Sequence, residues 1–199
     1  DIKVLTEDVR AGTDGSPVVV GDLLVRSSAE KFKKLRFHTN ENIGYGEIYL
    51  PPEEMQTRAL ALLFPPGGAP GTLLSAMGEL ERAAALASFC GMLRSFAPIA
   101  LLCDRSDLGA TWRARDDHYG VPAVYVWDRY PGGTGLSEAL PACLRDVLKA
   151  TLDRVSSCDC EDGCPSCIGV AEGQFALVRR RKAGASGLIT AVIRSLGAL

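Results

Sequence analysis

The chain has 199 residues, with 22 Lys and Arg against 24 Asp and Glu, a formal net charge of −2, 47% hydrophobic residues and 23% charged ones. That length can bury a sizeable core, and the composition is that of an ordinary soluble globule rather than a disordered chain or a membrane protein. The slightly negative charge gives no general attraction to nucleic acid, so any such contact must come from local patches.

No signal peptide or long apolar span is evident, and seven cysteines without a secretory segment point to a reducing cytoplasm and to no membrane partner. The opening Asp1-Ile2-Lys3-Val4, without an initiator Met, reads as a piece of a larger protein. Residues 1–66 read as strands over Ile2–Val9, Pro17–Arg26, Phe32–Thr39, Gly46–Leu50 and Ala59–Phe64, with turn signals at Gly12–Ser16, Asn40–Gly46 and Pro51-Pro52. From about residue 72 the pattern becomes helical. Met77–Phe96 is rich in Ala and Leu on most of its faces, as expected of a helix covered on several sides, and Pro98 is expected to end it. Periodicity does not decide the state of the short apolar run Ile99–Cys103.

Val121–Trp127 is the clearest buried strand, apolar at nearly every position. The glycine-rich junction Asp128-Arg129-Tyr130-Pro131-Gly132-Gly133-Thr134-Gly135 follows, and then a helix with Leu140, Cys143, Leu144, Val147, Leu148, Thr151, Leu152 and Val155 on one stripe. A last helix is expected over Ser186–Leu196. The predicted class is α/β: a mixed β-sheet with packed helices, a β-rich part over 1–66 and an α/β part over 67–199 that ends in a four-cysteine loop, together one compact domain.

The cysteine-rich segment Cys158-Asp159-Cys160-Glu161-Asp162-Gly163-Cys164-Pro165-Ser166-Cys167 has the spacing C-x-C-x3-C-x2-C, with Gly163 and Pro165 placed to bend the backbone. Four sulfurs converging from a tight loop suit a cation that prefers four thiolates in a tetrahedron. Structural zinc is favoured over an iron–sulfur cluster, whose ferredoxin run is spaced differently, and over disulfides or free thiols. Four protein ligands leave no open position, so the ion, one per chain, is expected to be structural rather than catalytic. Cys90, Cys103 and Cys143 sit apart in apolar surroundings and read as small core residues.

The strand–PGGTG–helix junction allows tight turning, and a helix N-terminus favours anions, so Gly132, Gly133 and Gly135 are candidates for contact with a phosphate, against the alternative of a structural turn. It lacks the Lys and Ser/Thr of a Walker loop and the GxGxxG spacing. Lys31, Lys33, Lys34 and Arg36, and later Arg179, Arg180, Arg181 and Lys182, form basic runs that read either as solvated faces or as nucleic-acid footprints. His38 and His118, the chain's two histidines, sit in no nucleophile motif. Asp104, Asp107, Asp116, Asp117 and Asp128 would have to converge to hold a catalytic Mg²⁺, which spacing does not establish.

Three segments together resemble the C-terminal region of MrfA-type, YprA-like superfamily 2 DNA repair helicases, the MrfA zinc-binding or MZB domain. They are Phe32–Phe37 with Glu41–Gly46, then Asp128–Leu136, then Cys160–Cys167, and Cys103-Asp104 with Asp107-Leu108-Gly109 also fits the pattern. The resemblance spans roughly residues 17–170 and departs beyond them. It implies zinc on Cys158, Cys160, Cys164 and Cys167, with the helicase motor domains lying N-terminal to this region as partners. The expected function is a zinc-binding accessory domain of a DNA helicase in repair or defence. On this reading it is expected not to be an enzyme itself, and Lys33, Lys34, Arg36 and the Gly132–Gly135 turn are the candidates for a possible backbone contact with single-stranded DNA. The competing readings are a metal-dependent phosphodiesterase or nuclease domain and an interaction module of an anti-phage defence complex.

Overall fold

The computed structural model describes residues 1–11, 17–29, 31–169 and 182–196. Its centre is a six-stranded sheet ordered β1-β3-β6-β8-β7, with β2 beside β3 as well. The strands are β1 (Ile2–Val4), β2 (Val9–Ala11), β3 (Val18–Ser27), β6 (Glu53–Leu63), β7 (Leu108–Arg113) and β8 (Ala123–Asp128); β4 (Lys31–Leu35) and β5 (Asn42–Glu47) form a separate two-stranded hairpin. The helices are α1 (Ala69–Ala76), α2 (Glu79–Leu101), α3 (Leu136–Ser156), α4 (Pro165–Ile168) and α5 (Lys182–Ser195).

The α/β class with packed helices and a terminal four-cysteine loop is observed, but the sheet expected to be mixed is antiparallel at every ladder. The helical crossover from β6 to β7 does join two strands running the same way. However, β8 lies between them, antiparallel to both, so they never pair. The predicted strand over Ile2–Val9 divides into β1 and β2 because the chain bulges between them, where Leu5 and Thr6 N–H both donate to the Asp22 carbonyl.

Alternation along the strands sorts the sheet into two faces. Val18, Val20, Leu60, Leu62, Leu108, Ala110, Val124 and Val126 face the helices in the main core, with Phe64, Phe89, Leu93, Leu144, Leu188 and Val192. Phe64 and Phe89 meet edge to face at 5.9 Å between centroids. The opposite face, built on Val19, Leu23, Ala59, Ala61, Ala123 and Tyr125, has no helix residue in its apolar cluster among the described residues.

Pro98 does not end α2; it lies inside the helix, which runs to Leu101. A proline withholds its own N–H and crowds the carbonyl four residues back, but its φ is helical and the N–H groups after it can still bond; here it sits in the last turn, where Leu102 turns left-handed and Cys103 N–H closes onto the Pro98 carbonyl. Contrary to the expectation of no long apolar span, α2 is long and apolar enough to cross a membrane. It serves here as a core helix, with 67% of its most apolar stretch buried within the fold. Strand β7 carried no sequence signal of its own, since Leu-Gly-Ala-Thr-Trp-Arg mixes Gly and Ala with the strand formers.

Candidate metal centre

Helix α3 delivers the chain to the cysteine loop: its amphipathic stripe packs Leu140, Leu144, Val147, Leu148, Thr151 and Val155 into the core, and Ser157 closes it one residue before Cys158. Cys164 caps α4, Pro165 opens that short helix without needing an N–H donor, and Cys167 falls one turn on, its sulfur accepting from Cys164 N–H at 3.3 Å. Gly163 makes this turn with φ of 114°, and a Cβ there would lie 1.9 Å from Ile168 Cδ1. Cys167 and Ile168 are buried in the main core while Cys158, Cys160 and Cys164 pack against it from the rim.

The four sulfurs all lie within 4.8 Å of one another. Cys158 is 3.5 Å from Cys160 and 3.7 Å from Cys164, and Cys167 is 3.5 Å from Cys160 and 3.8 Å from Cys164. A tetrahedron with Zn–S bonds of about 2.3 Å has edges of about 3.8 Å, so the sulfurs stand where that ion would hold them. The Cys164 thiol is pulled down to about 7 by the backbone N–H of Cys167 and then of Ser166 at the start of α4. Cys160 is pushed up to about 12, first by its hydrogen bond with Cys158 and then by burial. Crowded sulfurs resist further ionisation, and a divalent cation removes that resistance.

Outside the sulfurs, Lys182 at the start of α5 anchors the loop. Its ammonium donates to the Cys158 carbonyl and, at 3.3 Å, to the Cys160 carbonyl, while its N–H donates to the Asp162 carbonyl at 2.8 Å. Lys182 closes the basic run of the sequence, and its companions Arg179–Arg181 lie outside the described residues. Arg154 reaches Ser166 from α3.

The glycine junction is wired inward. Asp128, fully buried at the end of β8, accepts from Thr134 N–H at 2.5 Å, Thr134 Oγ1 at 3.1 Å, Leu136 N–H at 3.2 Å and Ser137 N–H at 2.8 Å. Its carboxylate thus occupies the N-terminus of α3 as an internal anion. Gly132 N–H donates to the Gln56 carbonyl and Gly133 N–H to the Tyr130 carbonyl, and Thr57 Oγ1 ties the Asp128 and Tyr130 carbonyls at 2.7 and 2.9 Å. The N–H groups of Gly132 and Gly133 that sequence reasoning offered to a phosphate are therefore committed inside the chain.

Lys31, Lys33 and Lys34 stand exposed on β4, whereas Arg36, in the turn that follows, pairs with Glu41 at 3.2 Å. Lys34 Nζ lies 5.7 Å from the Phe32 ring, and Phe37, Tyr45 and Tyr49 are exposed on and around the same hairpin. The aspartates do not converge. Asp128 caps α3, Asp116 accepts from His118 and Tyr119 N–H, Asp107 accepts from Tyr130 and Asp104 from Ser106. Among the described residues the four cysteines are the group able to hold a metal. Cys90 is buried as expected, Cys103 and Cys143 half so. His118 meets Glu7 at 3.0 Å, and His38 stacks edgewise on Phe37.

Residues 89–168 match the family model of the MrfA Zn-binding domain, MZB. The chain is 34% identical over 168 residues to the uncharacterized ATP-dependent helicase YprA of Bacillus subtilis (strain 168), covering 84% of this chain and 22% of that protein. A stretch of 64 residues is 36% identical to Druantia protein DruE of Escherichia coli (strain UMEA 4076-1), 32% of this chain and 4% of that one. The crystal structure of the helicase MrfA bound to DNA superposes with a TM-score of 0.73 at 31% identity over 96% of this chain and 24% of its own. The chain carries an MZB domain of the MrfA/YprA-like helicases, a zinc-binding domain by class. It spans about a fifth to a quarter of YprA and MrfA.

Proposed function

We propose that the chain is the zinc-binding accessory part of an ATP-dependent DNA helicase, holding one structural zinc on Cys158, Cys160, Cys164 and Cys167. The observation that carries this reading is the set of four sulfurs at tetrahedral spacing. Four protein ligands leave no position for water or substrate, so the ion organises the loop and joins α3, α4 and α5 instead of acting on a bond. The relatives supply the helicase context: YprA is described as an ATP-dependent helicase and MrfA was crystallised on DNA. In this reading the motor domains are partners of the chain. Contact with a single DNA strand runs through the exposed cations of the β4–β5 hairpin to backbone phosphates, since a helicase must track any sequence. Elemental analysis of the purified chain, with fluorescence anisotropy on oligo(dT) at low salt, tests it. About one zinc per chain is expected, with weak, salt-sensitive binding that falls when Lys33, Lys34 and Arg36 are all replaced by Ala. A chain without zinc and with Cys158–Cys167 oxidised removes the reading.

A further inference from the structure

At one end of the sheet, where Arg94 of α2 meets strand residues of β1, β3, β6, β7 and β8, lies a cleft of about 710 Å³ that neither the zinc loop nor the hairpin accounts for. Four arginines line it, Arg26, Arg94, Arg113 and Arg129, and Trp127 forms part of its wall. Asp1 and Glu53 are the acidic residues of the lining, so cations outnumber them two to one. Arg113 is held by Asp1 Oδ1 at 2.5 Å and Arg26 lies 3.8 Å from Glu54, whereas no ion pair involves Arg129 among the described residues. The Trp127 indole lies against Gly109 on the neighbouring strand, so close that a Cβ at Gly109 would fall 2.2 Å from the ring. A half-buried indole backed by a strand and flanked by guanidinium groups combines a stacking surface with phosphate-binding cations, the two elements that hold a single nucleic-acid strand.

The location agrees. Ser27 and Ser28 leave β3 from the lining of this cleft, and Glu53 returns to β6 at it. The basic β4–β5 hairpin therefore springs from the cleft's own rim. We propose that the cleft binds a single nucleic-acid strand, with backbone phosphates on Arg113 and Arg129 and a base stacked on Trp127. The choice of a nucleic acid as the polyanion rests on the helicase reading above, while the position of the site is independent of the hairpin contact.

The chain has two tryptophans, and Trp112 packs against the main core, its indole N–H without a hydrogen-bond partner among the described residues. Trp112→Phe therefore leaves Trp127 as a single reporter. Titrating this variant of the 199-residue chain with oligo(dT) of about 12 nucleotides should quench Trp127 fluorescence in parallel with anisotropy of the labelled strand. Adding Arg113→Ala and Arg129→Ala should weaken binding by about tenfold or more and flatten the log–log salt slope by about 0.7 for each phosphate that is no longer bound. The exposed Arg129→Glu alone serves as a second variant that does not disturb the Asp1 pair, and should weaken binding in the same direction. Replacement of Lys33, Lys34 and Arg36 should leave the quenching at saturation in place. Anisotropy that reports binding with unchanged Trp127 fluorescence and no effect of Arg129→Glu overturns the cleft proposal and leaves the hairpin contact standing. Absence of any binding overturns both.

Discussion

The ammonium group of Lys182 donates to the carbonyl of Cys160 at 3.3 Å, joining the first residue of α5 to the middle of the metal loop. The same group reaches the Cys158 carbonyl, and Lys182 N–H holds Asp162, so three points of a loop with little core of its own are fixed from one helix end. Metal ligands depend on such outer contacts for their orientation. Lys182→Met keeps the apolar stem and removes the donors. It should cost about 1–2 kcal/mol in chemical denaturation and speed zinc loss to a chelator. Unchanged zinc release would reduce the contact to packing.

Cys164 is both a sulfur of the cluster and the cap of α4. Cys164→Ser should therefore lose most of the zinc and loosen the seat of Cys167 and Ile168 in the core, lowering the melting temperature along with metal content. Cys143→Ser, at a half-buried thiol outside the cluster, is the control and should retain about one zinc per chain. Atomic absorption on both variants, purified side by side, checks this.

The metal loop was legible in the sequence because its geometry is local: four cysteines within ten residues, with Gly163 and Pro165 between them, leave few ways to place the sulfurs. The stripe of α3 was legible for the same reason, since helical period is a short-range signal. What escaped depended on distant partners. Strand β7 exists because β8 is beside it, and β6 extends back to Glu53, six residues before the apolar run, because β3 pairs it over ten positions. Lys182 sits 22 residues from Cys160, and nothing in a basic run distinguishes a lysine that will donate to carbonyls from one in solvent. The glycine junction was read as open to a phosphate. It was Asp128, on the strand before it, that filled the helix end, a use the sequence could have suggested from an acidic residue eight positions before the helix opens.

Asp128 tests that point. Its buried carboxylate satisfies the N–H groups of Thr134, Leu136 and Ser137, so Asp128→Ala leaves those donors unmet and empties a core position. The expected loss is about 3 kcal/mol, from a missing helix cap and unsatisfied buried donors together. Asp128→Asn keeps an acceptor oxygen and should lose about half as much. Equal stability of the three proteins in urea would mean that the junction holds itself.

Arg58 on β6 gathers three carboxylates: it donates to Asp22 at 3.0 Å, to Glu138 at 2.7 Å and to Asp8, tying the sheet to the start of α3. Burial works against its charge, but the hydrogen bonds to Asp8, Asp22 and Glu138 outweigh it and raise its pKa. The Arg58 hydrogen bond also holds the Asp8 carboxyl below its usual range. A carboxylate with a lowered folded pKa contributes stability above its unfolded value of about 3.9, and that contribution disappears as pH falls through the folded value. Arg58→Met should therefore destabilise the chain by about 1–3 kcal/mol at pH 7, where three carboxylates are left without their cation. The gap between the parent chain and the variant should narrow as pH falls below about 4, because protonation of Asp8 removes in the parent what the mutation has already removed. Urea midpoints for both proteins across that interval decide the matter. A gap that stays constant into acid would assign the stabilising role of Arg58 to packing of its side chain against Gly133 instead of to its charge.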